Sequence, residues 1–307
     1  MRIKVACPHN TVTGGIELLH QVVAELNTYD GVLAELWYLV DPSVRAIPEE
    51  YTMYNTVVNN NVQRGDILLF PEIWARYTNQ LTFHDHKKIV FWEGVNAYFP
   101  HTPQNLWFHF GEGTLHLSQT EYSGRFLRNV VNVPDSNIIE VTDYVNDAFL
   151  DADIHCERDK VVLYNPTKGM EFTEKLIALA PEVEFIPITG MNRQQIVELM
   201  KRSMVWVDLG DFPGKDRLPR EAGACGMCLI TSKFGSGKYH KDLGIPEIYK
   251  IDNLNYADLG AVRACIRYIF DNFEECQEQF AAYRKRLKQE KVQFKKGIKK
   301  LVERLAE

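Results

Sequence analysis

The sequence predicts an α/β protein of two doubly wound domains followed by a helical tail, and three observations predict it. Short apolar runs alternate with helix-period patterns from end to end. The runs are continuous and not alternating, as parallel strands covered on both faces require. At 307 residues the chain exceeds one ordinary core and suits two domains of about 150 residues each.

In the first half "IKVAC", "AELWYLV", "DILLF", "KIVFW" and "LHLS" read as strands. A helix over "IELLHQVVAELN" places Ile16, Leu19, Val23 and Leu26 on one face. The polar stretch "FLDADIHCERDK", residues 149–160, ends this series and precedes a fresh strand at Val161. The expected division is therefore a first domain over 1–152 and a second over 153–275. In the second, "KVVLYN", "VEFIPI", "MVWVDL" and "MCLITS" read as strands. Asn192 and Gln195 form a capping pair opening "RQQIVELMK", with Ile196, Leu199 and Met200 as its apolar stripe. Alternation of this kind in both halves gives two parallel sheets.

From Tyr256 onward the pattern is helical, with Leu259, Val262, Ile266, Ile269, Phe270 and Phe273 on one face. Residues 276–307 read as a basic amphipathic tail. From Arg284 to Arg304 its Lys and Arg residues meet only Glu290 and Glu303, while Phe294, Ile298, Leu301 and Leu305 continue an apolar stripe. Such a helix packs on the protein, and its basic face also suits an anionic membrane surface.

The apolar and charged fractions, 45% and 25%, are those of a globular protein. A net charge of -6 argues against nucleic acid as the main partner, because a phosphate backbone selects for surplus Lys and Arg. "MRIKVACPHN" shows no secretory pattern. No window reaches the roughly 18 apolar residues needed to span a bilayer. Cys7, Cys156, Cys225, Cys228, Cys265 and Cys276 lie scattered, mostly within apolar segments. That suits a reducing compartment, so the expectation is a cytoplasmic protein, peripheral at the inner membrane face if the tail touches it.

Four constellations carry chemistry. In "CPHNTVTGGIELLHQ" a strand ends at Cys7 and Gly14-Gly15 lead into a helix. Paired glycines let backbone approach a ligand, although a tight strand-to-helix turn needs them too. In "DFPGKDRLPREAGACG" Lys215, Arg217 and Arg220 gather at a helix start, with Pro219 at its first position and Glu221 in its first turn. These cations suit a diphosphate and Glu221 the two hydroxyls of a ribose; alternatively the cations pair with Asp211 and Asp216. In "YNPTKGMEFTEKL" Asn165 and Lys168-Gly169 follow the first strand of the second domain, where a lysine can neutralise phosphate. Finally, Glu72 and Glu93 each end an apolar strand, and Glu93 stands beside Trp92 as carboxylates do in sugar sites. Ordinary strand-end polarity accounts for them equally.

Other patterns carry less. "HDH", His84 to His86, is too little for a metal centre, and no metal is expected. "FGSGKYH" fails as a triphosphate loop, which needs glycine where Ser232 stands and serine or threonine where Tyr239 stands. The Cys225–Cys228 pair reads as packing thiols.

Taken together, "TGGIELLH", the "KG" of the second domain and "REAGACGMCLIT" resemble glycosyltransferases of the GT-B fold. The resemblance spans essentially the whole chain. It is strongest to a bacterial group carrying "TGG.E.LHQ", a "PE.W" strand and "HPGKDR.PREA". It implies two Rossmann-like domains facing a cleft, a nucleotide-sugar donor on the second and an acceptor on the first. It also implies hexosyl or pentosyl transfer without a metal or other cofactor, because protein cations stabilise the leaving diphosphate. Carried over by position, Glu221 matches the ribose-binding glutamate, Lys168 a donor-phosphate cation, and Gly14-Gly15 the loop near phosphates and acceptor. Arg217 and Arg220 fall in the group's own basic motif. Pro213 stands where retaining members place a glutamate. An inverting enzyme would instead need a base from the first domain, with Glu93, His9 and His20 as candidates. "FWEGVNAYF" departs from the related "WWLSVDN", so acceptor contacts differ.

The function expected is transfer of a sugar from a nucleotide-diphosphate donor to a saccharide or lipid-linked acceptor, as in surface polysaccharide synthesis. The alternatives are a nucleotide-sugar epimerase on the same scaffold and a non-catalytic sugar-binding or assembly subunit.

Overall fold

The structure is a computed structural model, and it describes residues 1–38, 41, 43–79, 85–95, 113–252 and 256–307. His84 and residues 96–99 of "FWEGVNAYF" lie outside the described residues. The described chain forms two compact units. One comprises residues 1–143, 213–215 and 292–307; the other comprises 144–212 and 216–291.

The first unit is built on a six-stranded sheet in the order β2-β1-β3-β4-β5-β6. Its strands are β1 (Arg2–Ala6), β2 (Leu33–Trp37), β3 (Ile67–Pro71), β4 (Lys88–Trp92), β5 (Leu115–Ser118) and β6 (Ile138–Glu140). Every pairing is parallel. All five residues of β3 are buried, the signature of a strand covered on both faces. Helix α1 (Gly14–Leu26) follows β1, its first turn capped by the Thr13 hydroxyl, which accepts from the Ile16 N–H. Leu18 and Val22 are as deeply buried as the expected stripe, so α1 is covered on more than one side. Helix α2 (Glu121–Asn129) follows β5.

The second unit carries a five-stranded parallel sheet in the order β11-β10-β9-β7-β8. The strands are β7 (Asp159–Tyr164), β8 (Glu184–Pro187), β9 (Ser203–Asp208), β10 (Cys228–Ser232) and β11 (Lys250–Ile251). Helices α3 (Asp147–Leu150), α4 (Met170–Leu179), α5 (Arg193–Arg202) and α6 (Arg217–Ala224) accompany them. Asn192 and Gln195 form the reciprocal cap on α5. On that helix Val197 is buried with Met200, while Ile196 and Leu199 are only partly covered. Cys225 and Cys228 are buried, and burial pushes the Cys225 thiol up to about 12, as suits packing thiols.

Both sheets reverse strand order beside their first strand. In the first, β1 lies between β2 and β3; in the second, β7 lies between β8 and β9. Ligands of open α/β sheets bind beyond the carboxyl ends of strands at this reversal.

The chain passes between units at 143/144, ahead of the polar stretch at 149–160. The reason is packing: Val145 and Phe149 are buried in the second core. After α7 (Tyr256–Asp271) the tail forms α8 (Phe273–Gln279), α9 (Ala281–Leu287) and α10 (Glu290–Ala306). It divides at 291/292, with the remainder of α10 counted in the first unit. Phe294, Ile298, Leu301 and Leu305 are all buried. The apolar stripe of the tail therefore packs on protein. Among the described residues no helix is long and apolar enough to cross a membrane.

Candidate functional site

In the second unit the loops after β7 and β9 meet at the strand-order reversal. Asn165 directly follows β7, and its Oδ1 accepts from the Thr167 N–H (3.0 Å) and hydroxyl (2.7 Å). This turn presents Lys168 and Gly169. Gly169 is left-handed, at φ +60°, and a Cβ there would stand 2.6 Å from the Gly210 nitrogen. Only glycine allows the two loops to approach this closely.

Lys168 Nζ donates to a carboxylate oxygen of Asp216, and both side chains are partly exposed. Asp208, at the end of β9, is buried and accepts the Gly210 N–H at 3.0 Å. Burial, then the Asp216 charge, pushes the Asp208 carboxyl up to about 7, while Lys168 pulls it down. Asp216 is raised too, again chiefly by burial and against the pull of Lys168. One ammonium thus serves two acids.

Helix α6 begins at Arg217, two residues earlier than the sequence suggests. Pro219 is its third residue and Glu221 its fifth, beyond the first turn. Proline is tolerated there because the first four helical N–H groups have no partner within the helix. Arg217, Arg220 and Glu221 are buried. Arg220 Nη2 donates to Glu290 Oε2, joining α6 to the start of α10.

Lys215 belongs with the first unit. Its N–H donates to Gln119 Oε1 (3.1 Å) and its Nζ to Thr142 Oγ1 (2.7 Å). Beside it, Gly214 forms an antiparallel bridge to Gly94, and Pro213 accepts the Val95 N–H at 3.1 Å. The cations Lys168, Lys215 and Arg220 are therefore each engaged by a different protein group. The expected pairing with Asp216 occurs, but through Lys168.

The first unit gathers its own constellation beyond β1, β3 and β4. Glu72 is buried, and its Oε2 accepts the Glu93 N–H at 3.0 Å. Burial raises its carboxyl, while backbone N–H groups of Glu93, Glu72 and Gly94 oppose the rise. The Glu93 carboxylate reaches the start of α1, so close that a Cβ on Gly15 would lie 2.4 Å from Glu93 Oε2. Gly14 and Gly15 are thus at the same edge as Glu72 and Glu93. Cys7 donates its thiol to the His9 carbonyl, and the His9 side chain is exposed. His20 is fully buried within α1, with Nδ1 2.7 Å from Thr56 Oγ1 and its ring 4.8 Å from Tyr51. Burial lowers it to about 4, as for a neutral core histidine. Of the "HDH" residues that are described, His86 is tied through Nδ1 to the Asp66 carbonyl at 2.8 Å.

Sequence reasoning passed over Asp208, Gly210, Thr142 and Gln119. Asp208 ends an apolar strand as Glu72 and Glu93 do, so the same signal marks it. Glu290 was visible only as a rare acid in a basic tail.

Two doubly wound parallel-sheet units with a C-terminal helix are the architecture of the GT-B glycosyltransferases. The chain is similar to HepE of Anabaena in complex with UDP-glucose, with TM-score 0.64, 10% identity and 99% of each chain covered. It is similar to sucrose-phosphate synthase of Thermosynechococcus elongatus, with TM-score 0.64, 14% identity and 99% and 98% covered. It is also similar to a glycosyltransferase of Rickettsia africae, with TM-score 0.62, 12% identity and 98% and 97% covered. At such identities the likeness is one of fold. No family model and no curated protein matches the chain.

Proposed function

We propose that this protein is a glycosyltransferase that moves a hexosyl or pentosyl group from a nucleotide-diphosphate sugar to a saccharide or lipid-linked acceptor, as in surface glycan synthesis. The observation that carries this reading is the meeting of Lys168, Gly169, Asp208 and Gly210 at the strand-order reversal of the second unit, on a fold shared with a UDP-glucose complex. Glu221 is the proposed ribose ligand. Lys168, Arg217, Arg220 and Lys215, with Asn165 and the Gly14-Gly15 turn, are the proposed diphosphate contacts. Glu72 and Glu93 are proposed to hold the acceptor, and Glu93 or His9 to remove its proton. Cations and backbone N–H groups would stabilise the leaving diphosphate without a metal. Its kinship is proposed with the bacterial group carrying "TGG.E.LHQ" and "HPGKDR.PREA". With the tail's apolar stripe buried, its contact with a membrane would be electrostatic, through exposed lysines such as Lys296, Lys299 and Lys300.

The test is a thermal-shift panel of nucleoside diphosphates. Stabilisation by UDP or GDP that disappears in Glu221→Ala supports a donor site, and silence toward every nucleotide sinks the reading. Release of free nucleoside diphosphate from a donor sugar only in the presence of acceptor then separates transfer from epimerisation. One observation favours a non-catalytic sugar-binding subunit instead. Pro213, standing where retaining enzymes place an acid, uses its carbonyl as a backbone link to Val95.

A further inference from the structure

We propose that Asp216 is an internal stand-in for a donor phosphate on Lys168, and that a diphosphate binds by displacing it. This rests on the nucleotide-sugar reading above and names the residue that sets the affinity of that site.

The geometry is specific. Asp216 is the N-cap of α6, yet its side chain makes no capping bond to the helix. An N-cap aspartate ordinarily turns its carboxylate onto the N–H groups of its own first turn. Here it reaches back across the strand-order reversal to the Lys168 ammonium. The loop after β9 runs close beside Lys168, since a Cβ on Gly210 would stand 3.0 Å from Lys168 Cβ. The lysine that a phosphate oxygen would use is therefore occupied by an anionic oxygen of the chain. The two acceptors recognise an ammonium by the same charge-assisted hydrogen bond.

The neighbourhood makes this exchange a determinant of affinity. Asp208 lies buried beside the pair, so two carboxyl groups already compete for one cation. A diphosphate brought against Lys168 with Asp216 still in place would add charge to an acidic surrounding. Once Asp216 turns away, toward the Leu218 N–H in the first turn of α6, Lys168 is released to the ligand and Asp216 takes up the N-cap role. Both acids stand above the usual carboxylate range, chiefly because desolvation disfavours their charged forms, and the Asp216 charge adds to the rise at Asp208.

Calorimetric titration of the full chain with UDP, GDP and inorganic diphosphate tests this in wild type, Asp216→Asn and Asp216→Thr. Asparagine and threonine both cap helices well, so the start of α6 is preserved. Each variant should bind the wild-type protein's best probe roughly tenfold more tightly. The gain should vanish in the Lys168→Met/Asp216→Asn double variant. Unchanged or weaker binding by the single variants, or a gain that survives without Lys168, overturns the proposal and leaves the donor-site reading standing. No binding of any probe by any of the proteins overturns both. In the wild-type protein, the carbon-13 resonance of the Asp216 carboxyl should shift on saturation with UDP. A resonance that does not move also overturns the displacement.

Discussion

The guanidinium of Arg220 on α6 is held by the carboxylate of Glu290, the first residue of α10. Both side chains are buried, and they are 70 residues apart in sequence. A cation that reads locally as part of a diphosphate clamp is thus also a structural tie between the candidate site and the tail.

Removing one partner of a buried pair leaves an uncompensated charge. Glu290→Ala should therefore destabilise the protein by about 3–5 kcal/mol, and Arg220→Met/Glu290→Leu should recover most of the loss. Chemical denaturation measures both. Equal stability of Glu290→Ala and wild type would show that the pair contributes nothing.

Gly169→Ala and Gly190→Ala form a matched comparison. Both glycines have positive φ, +60° and +65°, but only Gly169 faces backbone, with nothing within 4 Å of a Cβ at Gly190. Alanine at 190 should cost only the conformational strain, about 1 kcal/mol. At 169 the added clash with Gly210 should raise the cost to about 3 kcal/mol and weaken nucleotide binding. Equal costs would mean that the two loops move apart freely.

Two buried histidines predict acid sensitivity. His20 and His116 are each lowered by burial from 6.5 to about 4. Trp92 Nε1 donates to His116 Nδ1 at 3.0 Å, which requires that nitrogen to be unprotonated. Between these values the unfolded chain binds protons that the folded chain refuses. The stabilising contribution is therefore complete above about pH 6.5 and is lost as pH falls toward 4, by up to about 3 kcal/mol per histidine. Glu72 acts in the opposite sense, because burial raises its carboxyl and its contribution fades as pH rises. Melting temperature against pH in wild type and His116→Gln reads the effect. The variant should show a clearly shallower decline between pH 6.5 and 4, and identical slopes would refute it.

The tail offers the fourth test. Ile298 is fully buried, and a Cβ on neighbouring Gly297 would lie 2.6 Å from the Glu140 carbonyl oxygen. Ile298→Ala should destabilise the protein by about 2–5 kcal/mol. Wild-type binding to anionic vesicles, if observed, should fall steeply with salt, since no apolar stripe remains to insert. Salt-insensitive flotation would contradict that packing.

Much of the fold was legible in single segments. All nine strands read from apolar runs are present, as are the cap on α5 and the apolar face of α7 (Leu259, Val262, Ile266). The missed strands, β6 and β11, are edges of three and two residues, too short to show a pattern. Gly169 was legible as a loop glycine, but its reason lies in Gly210, another segment altogether.

By itself the sequence determined two doubly wound parallel sheets and the polar residues ending their strands, because burial on both faces and helical periodicity act over a few neighbouring residues. Only the tertiary structure decided which group each cation meets. Lys168 takes Asp216, 48 residues on; Lys215 takes Thr142, 73 residues back; Arg220 takes Glu290. Such pairs form where packing brings distant segments together and desolvates them, and no local pattern encodes that choice.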